Sequence, residues 1–401
     1  MFHALGRNNR LLMLALFAWA LGEGLWYINF RQLYLVQLGA TEAQVGLALA
    51  VEMLVRSLLT VPAGYLADRI GPHRVMVASW FVGVLGTVLG ALATTWQGFI
   101  PGLAIYAMSG FAMPSLSAYA IQSLPERSRA GAADRVLAAV FAAYTAGLII
   151  SPSLGGLIAD SWGIRSSLWI SSGVFVISTL IVLFTHAVPV EETVHVERPA
   201  ALLRNQGFTR LSVYYVLVFG AMFVGYQLMP NFLRDVRGLT YSQIGVLFSI
   251  AAGGTVVLNM LVSRLNPRWS FAAALLAYGL AVLGVWQLRQ PVLLGGAFAI
   301  TGTLTVVRTL ALARTSDVVS PHNRGLAFGI VETIYSVAAA AAAGVAGAVY
   351  RLTPGHGLPF IIALAAIPPL VGLWFAVRRR LPAAAAASEA PIAPLAEQIS
   401  G

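Results

Sequence analysis

The sequence predicts an all-α membrane protein of twelve transmembrane helices in two pseudo-symmetric six-helix bundles, with both termini cytoplasmic. Three observations carry that expectation. Of 401 residues, 58% are hydrophobic and only 10% charged, whereas soluble domains run near 25% charged. The apolar residues fall in continuous runs of about 20, the length a helix needs to cross a bilayer, while barrel strands would alternate over about 10. Two short motifs also recur at nearly one offset along the chain, so one half resembles the other.

Apolar runs bounded by charge, Pro and Gly clusters place helices near 11 to 37, 41 to 67, 74 to 94, 98 to 122, 135 to 159 and 165 to 187 in the first half. In the second half they fall near 207 to 233, 241 to 265, 270 to 288, 292 to 316, 325 to 350 and 358 to 377. The first run is too long for a signal-peptide core and lacks a small-residue cleavage site, so it reads as a retained span. Basic loops near span ends stay cytoplasmic. With both termini inside, that side collects seventeen arginines, and the opposite side has five: Arg165, Arg234, Arg237, Arg289 and Arg351. The formal charge of +10 is therefore a topological signal and gives no reason to expect nucleic acid.

The polar interval 188 to 206, with Glu191, Glu192, Glu197 and Pro199, reads as a cytoplasmic linker. It separates an N-terminal bundle, 1 to 187, from a C-terminal bundle, 207 to 380; the Ala- and Pro-rich stretch 381 to 401 reads as a disordered tail. Thr41-Glu-Ala-Gln44-Val45-Gly46 returns as Thr240-Tyr-Ser-Gln243-Ile244-Gly245, each at the start of the second helix of its half. Arg127-Ser-Arg-Ala130 returns as Arg324-Gly-Leu-Ala327, each entering the fifth. Parallel halves of this kind are one plan of secondary transporters, with a site near midplane between them. The chain has no cysteine, which excludes disulfides and thiolate chemistry, and no lysine, which excludes a Walker A loop and Schiff bases. No metal or cofactor motif is present, and no hydrolase constellation.

Between the second and third helices runs Gly64-Tyr-Leu66-Ala67-Asp68-Arg69-Ile-Gly71-Pro-His-Arg74. It closely resembles the signature loop of the major facilitator superfamily (MFS), Gly-x-Leu-Ala-Asp-Arg-x-Gly followed by basic residues. The resemblance implies a conformational latch of Gly64, Asp68, Arg69, Gly71 and Arg74, in which Asp68 faces the start of the eleventh helix near Gly325. Gly147-x-x-x-Ser151-Pro152-x-x-Gly155-Gly156 in the fifth helix resembles the pattern of the family's antiporter branch. Residues 147, 151 and 155 share a face on which another helix can pack closely. The equivalent loop of the second half, Ser263 to Arg268, lacks the Asp, and the fourth helix lacks the arginine common in the family's drug/proton antiporters.

Six ionisable groups fall within the apolar runs: Glu23, Arg31, Glu52, Arg56, Arg308 and Glu332. Each costs about 2.5 to 3.5 kcal/mol at midspan, so each is expected to face the bundle interior and to have a partner. At 1.5 Å per residue Glu23 lies about 18 Å along its helix and Arg56 about 16 Å along the next, so the two are placed to meet, and Arg56 is also four residues from Glu52. Arg308 and Glu332 lie at matched depth, about 11 to 12 Å, on consecutive antiparallel helices. Arg31 has no acidic neighbour in sequence and is expected to snorkel outward, or to meet an anionic group. Glu23, flanked by glycines and apolar residues, is the expected proton-coupling group. Trp26, Tyr27, Arg31, Tyr119, Tyr226 and Gln227 are the expected substrate-cavity residues.

Together these readings describe a secondary active transporter for a small organic molecule, expected to be a proton-coupled exporter and not an enzyme. An uncoupled facilitator or lysolipid flippase of the same fold, and a non-transporting receptor or scaffold, are the alternatives. The expected setting is a multi-pass monomer in a cell membrane, the inner membrane if prokaryotic, with the substrate, lipid and protons as partners and no cofactor.

Overall fold

The computed structural model describes residues 6–124, 129–187, 202, 204–320 and 323–381, apart from the side chains of 60–65, 67–68, 111–114, 129–131, 267–268 and 354. Most of the linker and the tail after 381 thus lie outside the described residues. What is described is helical, and no strand occurs in it.

The first span is broken. Helix α1 (Arg7–Trp26) gives way at residues 27 to 30 and resumes as α2 (Arg31–Gln37). Then come α3 (Glu42–Ile70), α4 (Pro72–Leu92), the pair α5 (Trp96–Met108) and α6 (Ala112–Gln122), α7 (Arg129–Trp162) and α8 (Ile164–Leu183). The second half repeats both breaks. Helix α9 (Gln206–Tyr226) yields to α10 (Met229–Asp235), and after α11 (Tyr241–Val262) and α12 (Pro267–Gln287) the tenth span divides at Gly302 into α13 (Pro291–Thr301) and α14 (Thr303–Ser316). Helices α15 (Arg324–Val349) and α16 (Leu358–Arg379) complete the chain.

Ten helical stretches among the described residues are long and apolar enough to cross a membrane. Helix α3 and the α5/α6 pair stand where the second and fourth spans were expected and are not among those ten.

The repeated motif has a local explanation. At Thr240 the side chain accepts from the Gln243 N–H (3.2 Å) while the Gln243 side chain accepts from the Thr240 N–H (3.0 Å). Thr41 and Gln44 make the same reciprocal pair at 3.4 and 2.8 Å. Both are capping boxes that satisfy donors a helix start would leave orphaned. Between α3 and α4, Gly71 takes φ +93°, a left-handed conformation open to glycine, and Pro72 follows at the first helical position, where its missing N–H costs nothing.

Helix α1 packs against α7 and α8, α4 against α5 and α8, and α9 against α15 and α16. Hydroxyls tie these contacts: Ser178 donates to the Ala15 carbonyl (2.6 Å), Ser171 to Gly22 (2.7 Å), and the Trp80 indole to Ser178 (2.8 Å). Such bonds hold apolar helices together where lipid supplies no hydrophobic drive between them. Leu58, Leu280 and Val292 are mostly exposed, which suits a lipid-facing exterior.

Candidate functional site

Two sets of helices, α1 to α8 and α9 to α16, meet along two seams, α3 with α15 and α7 with α11. Both seams close at the arginine-poor end. Asp160, near the end of α7, accepts the backbone N–H groups of Tyr241 (3.0 Å) and Ser242 (2.8 Å) at the start of α11, where the helix dipole favours a carboxylate. Below it Ser153 donates to the Ser249 hydroxyl (2.8 Å). On the other seam Arg351 pairs with buried Glu42 at 2.6 Å. Glycines permit these approaches: a Cβ on Gly156 would lie 2.7 Å from Ser242 Cα, and one on Gly347 would lie 2.7 Å from the Glu42 carbonyl.

The antiporter-like pattern of α7 therefore serves two neighbours. Gly147, Ser151 and Gly155 face α1, where Ser151 donates to the Ala20 carbonyl (3.0 Å), and a Cβ on Gly155 would lie 2.7 Å from Leu25 Cα. The Pro152 carbonyl and Gly156 face α11, while the Pro152 ring lies against Gly24 of α1.

Of the six charges in the apolar runs, Arg31 departs from expectation. Arg31 does not snorkel: it is buried and forms an ion pair with Glu52 at 3.0 Å, its guanidinium 4.3 Å from the Tyr27 ring centroid. The Tyr27 hydroxyl also donates to Glu52, and Arg31 donates to the Tyr27 carbonyl. A continuous first helix underlay the depth count, whereas the break at residues 27 to 30 returns Arg31 to the interior.

Glu23 accepts a hydrogen bond from Tyr144 of α7 at 2.6 Å. Both line a small cavity of about 50 Å³ with Arg56, Tyr27, Tyr106, Ser79 and Ser109. Arg56 lies against the break between α5 and α6, where a Cβ on Gly110 would lie 3.3 Å from its Nε. The volume suits a small number of water molecules beside polar partners.

A larger cavity of about 270 Å³ lies between the two helix sets, lined by Tyr144, Thr145, Pro152, Tyr226, Phe248, Thr255, Thr301 and Thr305. Tyr144 lines both. Aromatic faces interspersed with hydroxyls make this an amphipathic chamber without a fixed charge among the lining residues. Arg308 and Glu332 meet in a two-pronged pair, Nε to Oε1 at 2.8 Å and NH2 to Oε2 at 2.7 Å, with side chains 39% and 26% exposed. Tyr335 adds a ring 5.2 Å from the Arg308 guanidinium. That exposure makes the pair a partly solvated one, whose removal changes stability by about 1 kcal/mol or less. We expect Glu332→Gln to leave thermal unfolding near wild type, which a melting curve of the purified variant would show.

Four expected cavity residues, Arg31 in its pair with Glu52 and three others, lie elsewhere. Trp26 is fully buried among Tyr27, Phe99 and Tyr106. Tyr119 donates to the His186 carbonyl (2.9 Å) at the arginine-rich end. Gln227, at the break of the seventh span, donates to Ala339 (3.2 Å) while its own carbonyl accepts from Gln32 (3.3 Å), so it joins helices rather than lining a chamber. Tyr226 faces the large cavity and Tyr27 the small one. Sequence reasoning missed Tyr144; its only signal was a tyrosine one turn before Gly147 on the face that meets α1.

Of the latch, Arg69 and Arg74 are exposed and Gly71 makes the turn. The Gly64 and Asp68 side-chain positions lie outside the described residues. No cluster of three or more His, Cys, Asp or Glu suited to a metal occurs among the described residues.

The profile of the Major Facilitator Superfamily matches residues 11–269. The multidrug resistance protein MdtG of Escherichia coli (strain 55989 / EAEC) is 23% identical over 313 residues, covering 72% of this chain and 75% of the relative. A variant of the nucleoside transporter NupG superposes with a TM-score of 0.80 at 15% identity, over 92% of this chain and all of that one. An auto-inhibited POT family peptide transporter gives 0.76 at 14% identity, over 94% and 98%. At these identities the structural likeness speaks for the fold.

Proposed function

The chain belongs to the Major Facilitator Superfamily, and from that premise we propose that it is a proton-coupled exporter of a small organic molecule, working by alternating access. It is a multi-span membrane protein of a transporter family. In this reading α1 to α8 and α9 to α16 are the two rocking bundles of a twelve-span transporter and the arginine-rich end is cytoplasmic; seams closed at the other end fit an inward-facing state.

One observation carries the proposal. Tyr144 joins the Glu23 carboxylate to the chamber between the bundles, so the state of Glu23 and the occupancy of the chamber act on one side chain. A neutral Glu23 can donate to Tyr144 or to cavity water, whereas a charged one can only accept. Loading and releasing the proton therefore changes what Tyr144 presents to the substrate. The name of the MdtG relative, a multidrug resistance protein, supports the outward direction. The chamber's aromatic and hydroxyl lining fits an amphipathic molecule.

An uncoupled facilitator or lysolipid flippase has one observation in its favour, the absence of arginine from Trp96–Gln122. The position of Arg56 weakens it: α3 supplies a guanidinium at the very break of the fourth span. The experiment is Tyr144→Phe in proteoliposomes. We expect substrate binding within about threefold of wild type and gradient-driven accumulation reduced about tenfold, in keeping with the loss of a hydrogen bond to a charged group. Unchanged accumulation would remove Tyr144 from the coupling path.

A further inference from the structure

We propose that the groove between the start of α12 and the end of α16 binds the headgroup of an anionic phospholipid from the leaflet at the arginine-rich end. The groove has a volume of about 400 Å³, larger than either interior cavity, and is lined by Trp269, Phe375, Arg378 and Arg379. Its floor is apolar and its rim cationic. Trp269 is 61% exposed, with its ring 5.1 Å from Phe375 in an edge-on arrangement, and Trp374 beside Phe375 is fully buried, which fixes that turn of α16.

The charge balance favours an anion. Neither α12 nor α16 carries an acidic residue. Just past the end of α16, Arg210 donates to the Arg380 carbonyl (2.8 Å), so a further cation is held at the same end. Below Trp269 the same face of α12 continues through Leu276 and Leu280, both exposed, at the spacing of successive helical turns. An acyl chain can lie along that stripe while the glycerol meets the tryptophan at the depth such rings prefer. A free anion would use the arginines and leave the aromatic floor and the stripe without a purpose, so the geometry commits to a lipid. The site is separate from both transport cavities and does not depend on the transport reading.

The test is lipid retention by native mass spectrometry on delipidated protein titrated with phosphatidylglycerol, phosphatidylcholine or inorganic phosphate. Wild type is expected to retain phosphatidylglycerol over phosphatidylcholine, with excess inorganic phosphate failing to displace it. Arg379→Gln should weaken retention about fivefold, the effect of one basic residue near an anionic surface. Arg289→Gln, at the other end of the molecule, should not. Arg379→Lys should keep most of the affinity, and Trp269→Ala should weaken it while leaving lipid-free thermal unfolding unchanged. Equal retention by Arg379→Gln and wild type, equal binding of phosphatidylcholine, or displacement by phosphate alone would each overturn the assignment.

Discussion

Replacing Glu52 by alanine is expected to destabilise the protein by about 3–5 kcal/mol, because it strands a buried guanidinium. Glu52 is fully buried and holds Arg31 at 3.0 Å while accepting from Tyr27, so its loss unpairs two donors at once. The break at residues 27 to 30 should loosen with it, since Arg31 also ties back to the Tyr27 carbonyl across that break. Thermal unfolding of the detergent-purified variant reads the loss. The double variant Arg31→Met, Glu52→Leu should recover most of it, because apolar residues of similar volume remove both charges together. If the double variant were as unstable as the sum of the two single changes, the two residues would not be acting as a pair.

Gly156→Leu is expected to abolish transport by holding open the seam at the arginine-poor end. A single methyl at that position would already sit 2.7 Å from Ser242 Cα, and neither helix backbone can yield without dragging Asp160 off the α11 N-terminus. Overpacking costs about 1–3 kcal/mol, which shifts a two-state equilibrium about 5- to 150-fold. The natural chain contains no cysteine, so cysteines introduced at Ser153 and Ser249, whose hydroxyls touch in the closed seam, report closure without background. Wild type with that pair should cross-link readily, and Gly156→Leu with the same pair should not. Equal cross-linking would show that the seam closes around the larger side chain and that this glycine is no gate.

The fold class was legible because lipid imposes it: nearly uniform apolar runs leave helices as the only economical solution, and the Asp68 loop resembles a known family. The capping boxes at Thr41 and Thr240 explain why their motifs recur, since both start helices that must dock closely on a partner. The helix breaks were not legible. Nothing in Tyr27 to Phe30 marks a break by composition, and Gly302 is one glycine among 39. Missing the first break misplaced Arg31, which meets Glu52 in the interior. Arg308 and Glu332, on unbroken stretches of consecutive helices, meet where a simple rise per residue put them. Tyr119 and Gln227 stand out by depth and polarity, neither of which reports whether a side chain turns toward a chamber or into its own bundle.

The measurement that bears most directly on the proposed mechanism is gradient-driven transport by Glu23→Gln. Proteoliposomes acidified inside, with the arginine-rich end of the transporter outward, should accumulate substrate through the wild-type protein. The variant should bind substrate, fold and exchange it downhill at near wild-type rates, yet fail to concentrate it, because a neutral amide keeps the contact with Tyr144 but carries no proton. Undiminished accumulation by Glu23→Gln would contradict the account and place the coupling elsewhere.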